Sequence, residues 1–157
     1  MEKSLSWKKG FFSSTFELFS SDGSPAGKLR DKFWGNFAEG EIYQRVYHFR
    51  MRGFWNKKAE IMDPSTNKIT ATINFNCWKS KAVIEFANDQ GKTLTFGYEN
   101  FWHTKFSISE PSGLSARFHG TESKGEIRSD LDDILILAGL YVASYNWKMA
   151  STAVVAG

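Results

Sequence analysis

The sequence predicts a mainly-β fold, a closed antiparallel β-barrel of about 10–12 strands wrapped around a buried hydrophobic C-terminal α-helix. Three observations carry this expectation. Residues 15–128 break into short runs whose apolar and polar residues alternate, separated by Gly, Pro, Asn and Asp, as half-buried strands joined by turns require. Aromatic residues make up 16% of the chain, and aromatic side chains favour strands. From Ile134 to Trp147 only Gly139, Ser144 and Asn146 are not hydrophobic, so a helix there has no wet face and must be enclosed. A meander this long has too large a perimeter to fill its interior with strand side chains, and that helix is the plug.

In chain order, Thr15 to Phe19 and Lys28 to Arg30 flank Asp22-Gly23, Pro25 and Gly27, the signature of a hairpin. Trp34-Gly35-Asn36 and Glu39-Gly40 punctuate the next crossing. Ile42 to Arg52 reads as one long strand, with Tyr47, Phe49 and Met51 on one face and His48, Arg50 and Arg52 on the other. The pattern Trp-x-x-Lys-x-x-Ile then recurs as Trp55, Lys58, Ile61, as Trp78, Lys81, Ile84 and as Trp102, Lys105, Ile108. A spacing of about 24 residues suits one hairpin. Asn76 and Asn100 stand two positions before the second and third Trp. Period-two alternation turns Trp102, Thr104, Phe106 and Ile108 inward and Lys105 outward, and likewise Trp78, Ala82, Ile84 and Phe86 inward and Lys81 outward. Partner strands alternate through Ile69, Ala71, Ile73, Phe75 and through Leu94, Phe96, Tyr98. Turns fall at Asp63-Pro64 to Asn67, at 88–91 and at Glu110-Pro111 to Gly113. Leu114, Ala116 and Phe118 continue the alternation, and Gly125 to Arg128 forms a last short strand. Ser129 or Asp130 caps the helix, with Asp132 and Asp133 in its first turn. Gly139 marks a close passage of the helix against barrel side chains.

The 157 residues are expected to form one domain, 1–157, with 41% hydrophobic and 24% charged residues and a net charge of +3. That charge permits an anionic partner without demanding one, and is well short of a nucleic-acid footprint. Cys77 is alone, so no intrachain disulfide forms. The start, Met1 to Gly10, has no apolar signal-peptide core. Together these point to the cytoplasm, with peripheral membrane contact as the extension of that reading. A rival reading makes residues 134–157 a tail anchor, against which Lys148 would cost about 2.5–3.5 kcal/mol at a bilayer centre.

A strand meander closed by a hydrophobic C-terminal helix resembles the tubby C-terminal-like superfamily, and within it the LURP-one-related proteins and the phospholipid scramblase domain. The residues that carry the resemblance are Phe16 to Gly23, Gly53-Phe54-Trp55, Asp63, Ile73 to Trp78 and Ile134 to Trp147. The resemblance implies a membrane-associated or phosphoinositide-binding module. The Pro-rich and Cys-rich extension of scramblases is missing, so scrambling is not implied.

Among the residues themselves, the strongest functional feature is the run from Arg45 to Lys58. It holds Arg45, Arg50, Arg52, Lys57 and Lys58 with no acidic residue, beside Phe54 and Trp55. Lys81 and Lys105, at repeat positions matching Lys58, extend it. Basic groups can hold a phosphorylated headgroup through charge-assisted contacts while Phe54 and Trp55 sit at the membrane interface. The plainer reading is a solvated barrel wall on which Lys discourages edge pairing. Phe33-Trp34, Phe54-Trp55 and Phe101-Trp102 fit membrane insertion or packing at barrel ends. Asp130, Asp132 and Asp133 lack a calcium loop and suit helix capping better. His48, His103 and His119 have no metal-ligand spacing, and no nucleophile, phosphate-loop or dinucleotide motif occurs. Cys77 reads as apolar filler. The expectation is a monomeric, non-enzymatic binding module without cofactor or metal, taking anionic phospholipid headgroups. The alternative is a protein-interaction scaffold.

Overall fold

Short alternating strands joined by tight turns pair with their sequence neighbours, and enough of them twist round until the first meets the last. The computed structural model describes residues 2–31, 36–53, 57–76, 81–87 and 92–156 and shows this closure. Its strands are β1 (Lys3–Lys8), β2 (Thr15–Ser20), β3 (Pro25–Asp31), β4 (Phe37–Ile42), β5 (Arg45–Arg52), β6 (Lys58–Asp63), β7 (Lys68–Asn76), β8 (Lys81–Phe86), β9 (Thr93–Tyr98), β10 (Lys105–Ser109), β11 (Ser115–Gly120) and β12 (Lys124–Ser129), followed by helix α1 (Asp133–Ala156). Every strand is antiparallel to its neighbours, and β1 seals the barrel against β12, with Lys3 opposite Ser129 and Lys8 opposite Lys124.

The up-and-down order gives the barrel two distinct ends. Even-numbered strands all begin at one end and finish at the other. Because α1 follows β12, it enters where even strands finish, the entry end. It leaves where they begin, the exit end, and there Trp147 packs on Phe16 of β2 and Phe106 of β10. Twenty-four residues make a helix about 36 Å long, whereas strands of about six residues span about 20 Å. The helix therefore outruns the barrel. Ile134 to Ser144 are buried, residues 145–148 are half-buried, and Met149 to Ser151 are exposed.

Inward strand residues and the helix share one buried apolar cluster, in which Leu18, Phe49, Ile61, Ile73, Ile84, Phe96 and Phe106 are fully buried. Tyr141 stacks on Phe49 at 4.7 Å. At Gly139 a Cβ would lie 2.3 Å from the ring of Phe118, so only glycine permits this approach. Trp7 lies across Gly125 and donates its indole N–H to the Thr121 carbonyl at 3.0 Å. The buried Asp31 carboxylate receives the Ser144 hydroxyl at 2.7 Å and the Lys148 ammonium at 2.8 Å, tying the helix to β3 near the exit. Tail anchoring does not fit this arrangement. The same apolar residues fill the barrel, and among the described residues no helix is long and apolar enough to cross a membrane.

Several local expectations fail for physical reasons. The long strand from Ile42 to Arg52 is two strands. Tyr43 and Gln44, with φ of 47° and 70°, make a two-residue turn between β4 and β5, and Glu39-Gly40 lies inside β4. Ile69 faces outward, 40% exposed, because Thr70 is an extra residue in β7 opposite the Ile61–Met62 step and reverses the parity beyond it. Leu114 belongs to a turn and is exposed. Trp102 is not an inner strand residue. Asn100 accepts hydrogen bonds from the backbone N–H of Thr104 and Lys105 at 3.0 and 3.1 Å, closing a loop that leaves Trp102 at its tip, 78% exposed. The helix starts later than the Ser129 or Asp130 cap implies. The Ser129 hydroxyl instead accepts from Leu131 N–H at 3.0 Å and turns the chain into the barrel, and Asp133 occupies the first turn, paired with Lys3.

Candidate functional site

A lysine that opens an even-numbered strand and faces outward must stand on the exit rim. Lys58, Lys81 and Lys105 open β6, β8 and β10, and all three are exposed. Strands two apart are separated by about 9.5 Å along a sheet, and four of twelve strand intervals cover about a third of the circumference. The three lysines therefore form an arc on one rim rather than a single flat face. Among the described residues no carboxylate lies within ion-pairing distance of any of them.

The rest of the predicted basic set divides. Arg52 stands directly opposite Lys58 in the ladder and donates to the Glu60 carboxylate. Lys57 lies beside them with its ammonium 5.8 Å over the Tyr145 ring, on the emerging helix. Arg50 is exposed further down the wall, opposite Phe37 and Glu60. Arg45 opens β5 and so belongs to the entry end, where it lies in one shallow concavity with Asp63 and Pro64. It does not join the candidate site. Phe54 and Trp55 lie outside the described residues, as do Phe33-Trp34, Cys77 and Trp78.

Register brings in partners that spacing along the chain could not reveal. Lys105 faces His119 across the β10–β11 ladder, and His119 faces Glu126 on β12. With Glu99, Arg117 and Arg128 they line an outer-wall concavity of about 260 Å³, in which Arg117 is held by Glu2 at 2.7 Å. The concavity is polar and of mixed charge.

The two ends of the barrel differ in charge. In the described connections and terminal strand residues, the exit end with the emerging helix carries Lys8, Lys9, Arg52, Lys57, Lys58, Lys81, Lys105, Lys124 and Lys148 against Asp31, Glu99 and Glu122. The entry end carries Lys3, Arg45, Lys68 and Lys92 against Glu2, Asp22, Asp63, Glu110, Asp130, Asp132 and Asp133. Nine basic groups against three acidic at one end, and four against seven at the other, make a molecule of modest net charge strongly polar along its axis. Hydrogen bonding within turns accounts for part of the acidic end. The Ser24 hydroxyl and N–H hold the Asp22 carboxyl below its ordinary range, and those of Ser65 do the same for Asp63, helped slightly by Arg45. The Ser112 hydroxyl and then Lys92 lower Glu110. The triad Asp130, Asp132 and Asp133 is part of the helix entry, and among the described residues no group of three His, Cys, Asp or Glu side chains is arranged to hold a metal ion.

In comparisons with known proteins, no family model matches the chain, and neither a curated protein nor a solved structure matches it.

Proposed function

We propose that the protein is a non-enzymatic binding module for anionic phospholipid headgroups at a membrane surface, and that the basic exit rim is its binding face. The observation that carries this reading is the axial charge polarity. Lys58, Lys81 and Lys105 stand unpaired by described carboxylates on the rim where basic groups outnumber acidic ones. A negatively charged leaflet attracts each nearby Lys or Arg by about 1 kcal/mol, so the field of such a surface both binds this end and orients the molecule. The resemblance to the tubby C-terminal-like superfamily supports the same class of ligand.

The test is co-sedimentation of the full chain with phosphatidylcholine vesicles, with and without phosphatidylserine, across a salt series. Stronger binding to the anionic vesicles than to the neutral ones is expected, with the difference falling as the Debye length shrinks through about 8 Å at physiological ionic strength. The double variant Lys58→Glu, Lys81→Glu is expected to weaken low-salt binding about thirtyfold or more, with thermal stability nearly unchanged. Equal binding to neutral and anionic vesicles, or none to either, contradicts the reading.

A further inference from the structure

The exit rim carries a second feature that charge alone does not explain. Phe11 and Phe12, in the β1–β2 connection, are 89% and 97% exposed and pack edge to face on one another, with ring centroids 4.8 Å apart. Phe101 and Trp102, in the β9–β10 connection, are 87% and 78% exposed and pair in the same way at 5.4 Å. Solitary exposed apolar residues are ordinary, whereas paired aromatic rings raised clear of the body on two separate loops are not. Both loops are held in shape from below. Asn100 closes the second through Thr104 and Lys105, and Lys9 of the first is bonded to Glu122 at 2.9 Å and to the Ser123 carbonyl through its N–H at 2.8 Å. The tips are therefore presented by the fold rather than left over from it.

Their location is equally specific. Four strand intervals separate the two loops round the rim, and the emerging helix rises between them. A concavity of about 310 Å³ lies between Phe11, Phe12 and the helix at Lys148 and Ser151. Another of about 340 Å³ lies between His103 and the helix at Trp147, Met149 and Ala150.

We propose that the molecule docks end-on to an anionic bilayer, with Phe11, Phe12, Phe101 and Trp102 entering the interfacial layer while the surrounding lysines stay among the headgroups. This rests on the anionic-membrane reading and deepens it. The occupant of the face is the bilayer surface itself, not a soluble phosphorylated headgroup. The choice follows from complementarity in two properties at once. Aromatic rings favour the layer between headgroups and acyl chains, and basic groups ring them at the height of anionic headgroups. A soluble anion would satisfy the lysines and leave the raised rings in water. The entry end, acidic and without such paired tips among its described residues, is turned to the opposite side.

The experiment compares the full chain with three variants, Phe11→Ser with Phe12→Ser, Phe101→Ser with Trp102→Ser, and Tyr43→Ser as a control at the entry end. Partition is measured by co-sedimentation with phosphatidylcholine–phosphatidylserine vesicles at low and high salt, and solution mass by light scattering. Each tip variant is expected to lose about tenfold or more in partition, and the salt-resistant remainder of wild-type binding is expected to vanish. The control should bind as wild type. Wild-type partition by both tip variants, with Lys58→Glu, Lys81→Glu still impaired, overturns insertion while leaving the basic rim standing. No vesicle binding by the wild type overturns both. A wild-type dimer that the tip substitutions dissociate assigns the face to a second copy and overturns the bilayer as its occupant.

Discussion

Replacing Gly139 by alanine tests the threading of the helix with one methyl group. The added Cβ would sit 2.3 Å from Phe118 Cζ and 2.7 Å from Cε1, against an ordinary carbon–carbon contact of about 3.5–4.0 Å. Relief therefore needs the ring or the helix to move by about 1.2 Å or more. Phe118 has little freedom to do so, since it stacks on Phe106 at 4.9 Å with only 8° between the planes and is flanked by Trp7. Alanine gains about 1 kcal/mol in helix propensity over glycine, while overpacking a well-filled core costs about 1–3 kcal/mol. The balance is a net destabilisation of up to about 2 kcal/mol, or several degrees in Tm for a chain of this length. Urea denaturation should show a lower midpoint with unchanged slope. Phe118→Leu alone leaves a cavity and also destabilises, but in the double variant the leucine makes room for the methyl, so the combined loss should fall short of the sum of the two. Additive losses, or a more stable Gly139→Ala variant, would refute the close passage of α1 against β11.

Other expectations follow from single contacts. Asp31→Ala leaves the buried Ser144 hydroxyl and the Lys148 ammonium without their carboxylate and should cost about 1–3 kcal/mol by urea denaturation, with Ser144→Ala costing less. Gln44→Gly should stabilise the β4–β5 turn by about 1 kcal/mol in thermal melts, because glycine adopts its φ of 70° without penalty. Burial, and then the Asp31 and Tyr145 charges, raise the Tyr141 hydroxyl well above its ordinary value, and burial raises Tyr98 despite the hydrogen bond from Asn146. Both groups ionise more easily unfolded, so their contribution is whole below about pH 10 and is lost as pH rises beyond it. Ultraviolet titration should show the Tyr141 tyrosinate forming together with alkaline unfolding, and Tyr98 titrating above an ordinary tyrosine. Asp22 and Asp63 have the opposite sign, and carboxyl NMR should show them titrating below ordinary aspartates, with turn order lost as pH falls through that range.

The barrel and its plug were legible because two patterns dominate the chain, period two across the strands and an apolar run from Ile134 to Trp147 broken only at Gly139, Ser144 and Asn146. Turns declared by Asp22-Gly23, Asp63-Pro64 and Glu110-Pro111 were legible for the same reason, since those residues prefer turn geometry. Tyr43-Gln44 was not, because neither residue announces a positive φ and the strands on both sides keep the alternation running. Ile69 was misplaced by a bulge, which leaves no mark in composition. Spacing along the chain makes the lysines of the repeat an extension of the Arg45 to Lys58 run. The spacing was real, but its meaning came from topology, which sets Lys58, Lys81 and Lys105 on one rim and sends Arg45 to the other end. The repeat predicts Trp102 inward because its pattern resembles strand from the first residue. Asn100, already visible two positions earlier, was the sign of a loop whose side-chain hydrogen bonds put the Trp at the tip.

Hydrogen exchange of the full chain, with and without phosphatidylcholine–phosphatidylserine vesicles, tests most directly which surface meets the membrane, and it needs no substitution. Exit-end docking predicts slowed exchange at residues 9–14 and 99–104, where Phe11, Phe12, Phe101 and Trp102 lie, and unchanged exchange at 20–25, 42–45, 63–68 and 109–115. Protection of the entry-end turns instead, or no change anywhere while the protein sediments with vesicles, would contradict it.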